Sequence, residues 1–73
     1  MMRRYDYEVR IVHTERGNYW IAPNPVCTGY IDAVSPEAAL AEAIAETRTE
    51  NPEGMKFLVQ IEGFESVEAF IQN

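Results

Sequence analysis

A thiolate paired with an imidazole is a nucleophile, and this sequence holds one residue of each kind, Cys27 and His13. Both fall in strand-like segments with no third group placed to orient the imidazole. The pair therefore reads as a small core thiol and a strand-end histidine. One Cys and one His also cannot fill a four-ligand zinc site within one chain. Asp6 and Glu8 are two residues apart on one strand face, where paired carboxylates could hold a hard cation such as magnesium. With Arg10 completing the pattern, a solvated charged face is the better account. Gly17, Gly29, Gly54 and Gly63 stand alone, so no glycine-rich phosphate loop is present. The aromatic set Tyr5, Tyr7, Tyr19, Trp20 and Tyr30 would suit base stacking in a basic groove, which the sequence does not supply; core or dimer packing explains it more simply. The expectation is a chain without enzymatic function and without cofactor or bound metal.

Charge is a different matter. Glu42, Glu46 and Glu50 recur at a spacing of four, and Glu53 extends the series. On a helix, like charges at that spacing repel by roughly 0.2–0.5 kcal/mol each. Few bases are interspersed to relieve them, so the stripe is either a solvated face or a surface suited to a basic partner. Those four glutamates are the candidate partner-binding residues.

The elements that must position these residues follow from periodicity. Residues 5 to 13 alternate, with Tyr5, Tyr7, Val9, Ile11 and His13 on one side and Asp6, Glu8, Arg10 and Val12 on the other, which predicts a strand with one buried face. Thr14 to Asn18 supplies turn chemistry, and Tyr19 to Ala22 resumes as a second strand, making a hairpin. Pro23-Asn24-Pro25 must bulge or turn, because proline cannot donate to a ladder. A third strand is expected from Val26 to about Ala33, with Gly29 marking a bend or a close approach. Ser35-Pro36-Glu37 is a helix start by cap, first-turn proline and dipole, and the helix should run to about Glu50 with Leu40, Ala43, Ile44 and Thr47 gathered on one face and Leu40 and Ile44 facing the sheet. Met55 to Glu62 reads as a fourth strand with Phe57, Val59 and Ile61 on one side. Ser66 is expected to cap a short final helical turn in which Val67, Phe70 and Ile71 share a face. The predicted architecture is a single α+β domain over residues 1–73, β-β-β-α-β, an antiparallel meander with the helix packed on one face.

Bulk properties bound the function. A chain of 73 residues that is 47% hydrophobic folds as one domain, but one this size buries only about 60% of the surface its unfolded form exposes. The net charge of −6 is concentrated in the second half: nine acids against Arg48 and Lys56 from Asp32 onward. A negative field repels phosphates, so direct nucleic-acid binding is not expected. One cysteine allows no internal disulfide, no span is apolar enough for a membrane helix, and no apolar stretch follows Arg3-Arg4 as in a signal peptide. Together these lead to the expectation of a cytoplasmic protein with no membrane partner.

The run Gly17-Asn18-Tyr19-Trp20-Ile21-Ala22-Pro23-Asn24-Pro25-Val26-Cys27, with Gly29-Tyr30-Ile31-Asp32-Ala33-Val34-Ser35-Pro36-Glu37-Ala38-Ala39-Leu40-Ala41-Glu42-Ala43 after it, resembles the HicB-like antitoxin family. The shared features are a glycine-aromatic hairpin, a loop with proline and cysteine, and a helix opening with a Thr/Ser-x-Glu-Ala-Leu-like run. That resemblance implies a degenerate nuclease-like fold that binds and blocks a small basic RNA-cleaving toxin. In size and charge the chain is also similar to small phage inhibitors such as anti-CRISPR proteins. The expected function is thus a non-enzymatic inhibitor or regulator that binds the basic, nucleic-acid-binding surface of a partner protein. A homodimeric structural or assembly module is the alternative.

Overall fold

In the computed structural model, residues 1–51, 53–63 and 66–73 are described. They form an antiparallel five-stranded sheet with one helix, in the order β1 (Arg3–Glu15), β2 (Asn18–Ile21), β3 (Cys27–Ala33), α1 (Pro36–Glu50), β4 (Lys56–Glu62) and β5 (Val67–Gln72). The α+β expectation holds at that level. β1 runs the length of the sheet and turns into β2 through Arg16-Gly17, both at positive φ (52° and 83°). Two left-handed residues match the right-handed twist of the flanking strands, which is why two residues suffice for the turn.

The arrangement of strands corrects the expected meander. A meander would lay β3 against β2, whereas both pair antiparallel with the same edge of β1: Val12 faces Ile21 in one register, Val9 faces Cys27 in the other. The two registers differ by the three residues Pro23-Asn24-Pro25, which loop out while Ala22 N–H donates to the Ile11 carbonyl and Val26 N–H to that of Val9, at 2.9 and 2.8 Å. Proline interrupts the ladder, but the 13-residue β1 is long enough to take the chain back on the far side of the interruption. β4 pairs with the other edge of β1, so β3 and β4 run parallel to each other and α1 crosses over β1 between them.

A second correction concerns the C-terminal segment. Val67–Gln72 is a strand, not a helical turn, and pairs with β4 from Lys56↔Gln72 to Ile61↔Val67. Val67, Ala69 and Ile71 alternate inward while Glu68, Phe70 and Gln72 are exposed, a period of two that six residues can realise in a sheet. So short a helix gains few hydrogen bonds for its nucleation cost, whereas β4 offers a whole edge.

Ser35 caps α1, its Oγ accepting from Ala38 N–H at 3.1 Å, with Pro36 at the first turn as the sequence predicts. The line of closest contact is Pro36, Ala39, Ala43 and Thr47, all buried. Leu40 and Ile44 pack against the core from the sides and are only half-buried. Small residues at the centre let the helix axis approach the sheet. Thr47 is buried because its Oγ1 donates to the Ala43 carbonyl at 2.8 Å, leaving its methyl for the interior. Beneath the helix lie Val9, Ile31, Phe57, Val59, Ile61 and Ile71, with Ile11 at the margin. The other face of the sheet has no helix over it. It carries Tyr19, Val12, Leu58 and Phe70 at one end, Arg10, Glu8, Gln60 and Glu68 across the middle, and Asp6 and Glu62 beyond.

Candidate partner-binding surface

Positions 42, 46 and 50 rise along one side of α1, and Glu42, Glu46 and Glu50 are all exposed. Glu53 is exposed too, but α1 ends at Glu50 with Asn51 as its C-cap, so Glu53 belongs to the turn that follows rather than to the helix. Among the described residues the ion pairs are Arg4 with Asp32 at 3.6 Å and Arg10 with Glu8 at 2.6 Å, both on the opposite face of the sheet. None reaches the helical stripe. Arg48, the base of the last turn, lies two positions from Glu46 and Glu50 and therefore on a different side of the helix.

Glu46 has one partner that sequence spacing did not reveal. Tyr7 Oη lies 3.3 Å from Glu46 Oε2 and donates to it, and 3.8 Å from Cys27 Sγ. Tyr7 reaches this point because it faces the helix from β1, directly across from Gly29 of β3. A Cβ at position 29 would stand only 2.9 Å from Tyr7 Cε1, so glycine there leaves room for the ring. The strand-interior glycine thus marks a close approach, one of the two meanings its position allows. Burial pushes the Tyr7 phenol well above its ordinary value, and the Cys27 hydrogen bond and the negative charge of Glu46 act in the same direction. A phenol held protonated is a donor, so it anchors Glu46 while Glu42 and Glu50 remain free to face solvent.

The other candidate groups are dispersed. His13 stacks on Trp20, ring centroids 5.3 Å apart, at the hairpin end of β1. Cys27 pairs across from Val9, four residues before His13 on β1, so about 13 Å of strand separates the two groups. Asp6 and Glu8 do share the open face, but Glu8 is engaged by Arg10, which also donates to Gln60 Oε1 at 2.7 Å. No group of three or more His, Cys, Asp or Glu is gathered for a metal ion among the described residues. The aromatic set divides: Tyr5 and Tyr7 pack against the core, whereas Tyr19, Trp20 and Tyr30 are exposed, Tyr30 beneath the Arg4 guanidinium at 4.1 Å. No helix among the described residues is long and apolar enough to cross a membrane. In comparisons with known proteins, no family model, no curated protein and no solved structure matches the chain.

Proposed function

We propose that this chain is a non-enzymatic inhibitor or regulator whose acidic helix face occupies the basic, nucleic-acid-binding surface of a partner protein, as an antitoxin or an anti-CRISPR protein would. The observation that carries this reading is the set Glu42, Glu46 and Glu50, exposed on one side of α1 with no cation within ion-pairing distance among the described residues. Such a row imposes a repulsive cost on the helix, which a cationic partner would relieve. Charges of this kind speed encounter and discriminate among partners, and their effect is screened over roughly 8 Å at physiological ionic strength.

The test is calorimetry on a partner captured from the host, identified and purified. The triple variant Glu42→Lys, Glu46→Lys, Glu50→Lys should keep its helical and sheet signals, since all three positions are exposed and the one contact it removes, Tyr7 to Glu46, is itself at the surface. Its affinity should fall roughly ten- to hundredfold, because several exposed pairs of up to about 1 kcal/mol turn repulsive. Raising salt should weaken the native complex in the same direction. Equal affinity for both proteins at low and high salt would reduce the stripe to a solvated face.

A further inference from the structure

The sheet ends at β5, and the geometry of that edge differs from that of the opposite one. Asn73 N–H donates to the Met55 carbonyl at 3.0 Å. By antiparallel alternation, Ile71, Ala69 and Val67 then turn their main-chain groups toward β4, while Gln72, Phe70 and Glu68 turn theirs outward from the sheet. The far edge is blunted by a four-residue β2, by the loop containing Pro23 and Pro25, and by Arg4 and Asp32 beside β3. β5 is less protected: it has one charged residue, Glu68, but no proline, no basic residue and an unbroken register. At its centre Phe70 is 56% exposed on the open face. Its ring meets Tyr19 edge-on, with centroids 6.0 Å apart, and the two flank a shallow groove of about 310 Å³ lined also by Val12, Thr14 and Lys56.

We infer that β5 pairs antiparallel with β5 of a second copy of this chain, about a twofold axis at Phe70, joining the two sheets into one. Charge and side-chain chemistry select that register. An axis at Glu68 would set two carboxylates directly opposite each other, which is destabilising, and an axis at Ala69 would set each Glu68 against a phenyl ring. With the axis at Phe70, the two phenyl rings form a cross-strand pair, Ala69 meets Ile71, and Glu68 meets the amide of Gln72. About six main-chain hydrogen bonds close from groups now facing solvent. The grooves of the two copies become continuous through Tyr19, Phe70 and their mates, which gives the interface an aromatic centre. An axis perpendicular to the sheet also leaves both copies of α1 on the same side. A six-residue edge buries less than the roughly 800 Å² per partner of a standard interface, so the dimer should be reversible, with a Kd on the order of 10–100 µM. This inference does not depend on the acidic face of α1.

Sedimentation velocity from about 1 to 500 µM, spanning that range, should show a monomer converting to a dimer. Amide hydrogen exchange on the native protein at the two extremes distinguishes edge pairing from face-to-face packing: Glu68, Phe70 and Gln72 should exchange roughly four- to ninefold more slowly at the high concentration, the ratio of free-monomer fractions that this Kd range gives. Phe70→Lys places two cations on the axis and should give a monomer throughout, whereas Tyr30→Lys on the β3 edge should dimerise like the native chain. A monomer at every concentration would overturn the proposal. So would a dimer whose three outward amides exchange as fast as in the monomer, or one broken by Tyr30→Lys and not by Phe70→Lys.

Discussion

Tyr7 links two parts of the molecule that the sequence keeps 39 residues apart, β1 and the acidic side of α1. Its proton is what makes the link, because a phenolate would repel the Glu46 carboxylate it now donates to. Folding raises the pKa of this phenol, so its contribution to stability is complete below the unfolded value of about 10 and is lost as pH climbs beyond it. Denaturant titrations between about pH 8 and 11.5 should therefore show stability falling above pH 10, and Tyr7→Phe should flatten that fall while leaving neutral-pH stability less affected. An unchanged slope in Tyr7→Phe would mean that the alkaline loss arises elsewhere. The sequence singled out Tyr7, Cys27, Glu46 and Gly29 each for a separate reason, and only Gly29, as an unusual residue inside a strand, pointed to a close approach. That its partner is the Tyr7 ring depends on which strands pair, and no local pattern encodes pairing.

Among the elements, α1 was the most legible, because its start signals are local: Ser35 as cap, Pro36 in the first turn and Glu37 at the dipole's positive end. Its inner face was less so. Periodicity gathers Leu40, Ala43, Ile44 and Thr47 on the side that turns inward, and the larger Leu40 and Ile44 are the ones expected against the sheet, but distance to the sheet decides which residues touch, and Ala43 with Ala39, which that face left out, are the ones on α1 with no exposure at all. Overpacking at this line should be costly: Ala43→Leu should lower stability by about 1–3 kcal/mol, measured by urea unfolding, because neither backbone has room to withdraw. Ala41→Leu, on the exposed side, is the matched control and should change stability by less than about 0.5 kcal/mol. If the two variants unfold at the same denaturant concentration, the helix is not seated as closely as its buried alanines indicate. The last element is a strand and not the predicted helical turn for a related reason. Val67, Phe70 and Ile71 suit a helical face and Val67, Ala69 and Ile71 suit a strand face equally well, and only the open edge of β4 settles which face is used.

At the scale of the whole molecule, a net charge of −6 on 73 residues makes the folded state repel itself. Screening should therefore stabilise the isolated protein: the melting temperature should rise by a few degrees between about 10 and 150 mM sodium chloride, as expected if screening contributes on the order of 0.5–1 kcal/mol. This is opposite in sign to the effect of salt on the proposed complex, so the two measurements separate self-repulsion from partner attraction. A melting temperature that falls with salt would show that attractive pairs outweigh the repulsion. Composition, strand alternation and cap chemistry, all properties of neighbouring residues, determined that the chain is an α+β domain with a capped, acidic helix after its third strand. Tertiary structure alone decided that β3 returns to β1 and not to β2, that the final segment is an edge strand, and that Tyr7 reaches Glu46. Each of these rests on main-chain hydrogen bonds or contacts between residues distant in sequence, whose energy depends on which edge lies open when the segment arrives, and periodicity within a segment carries no record of that edge.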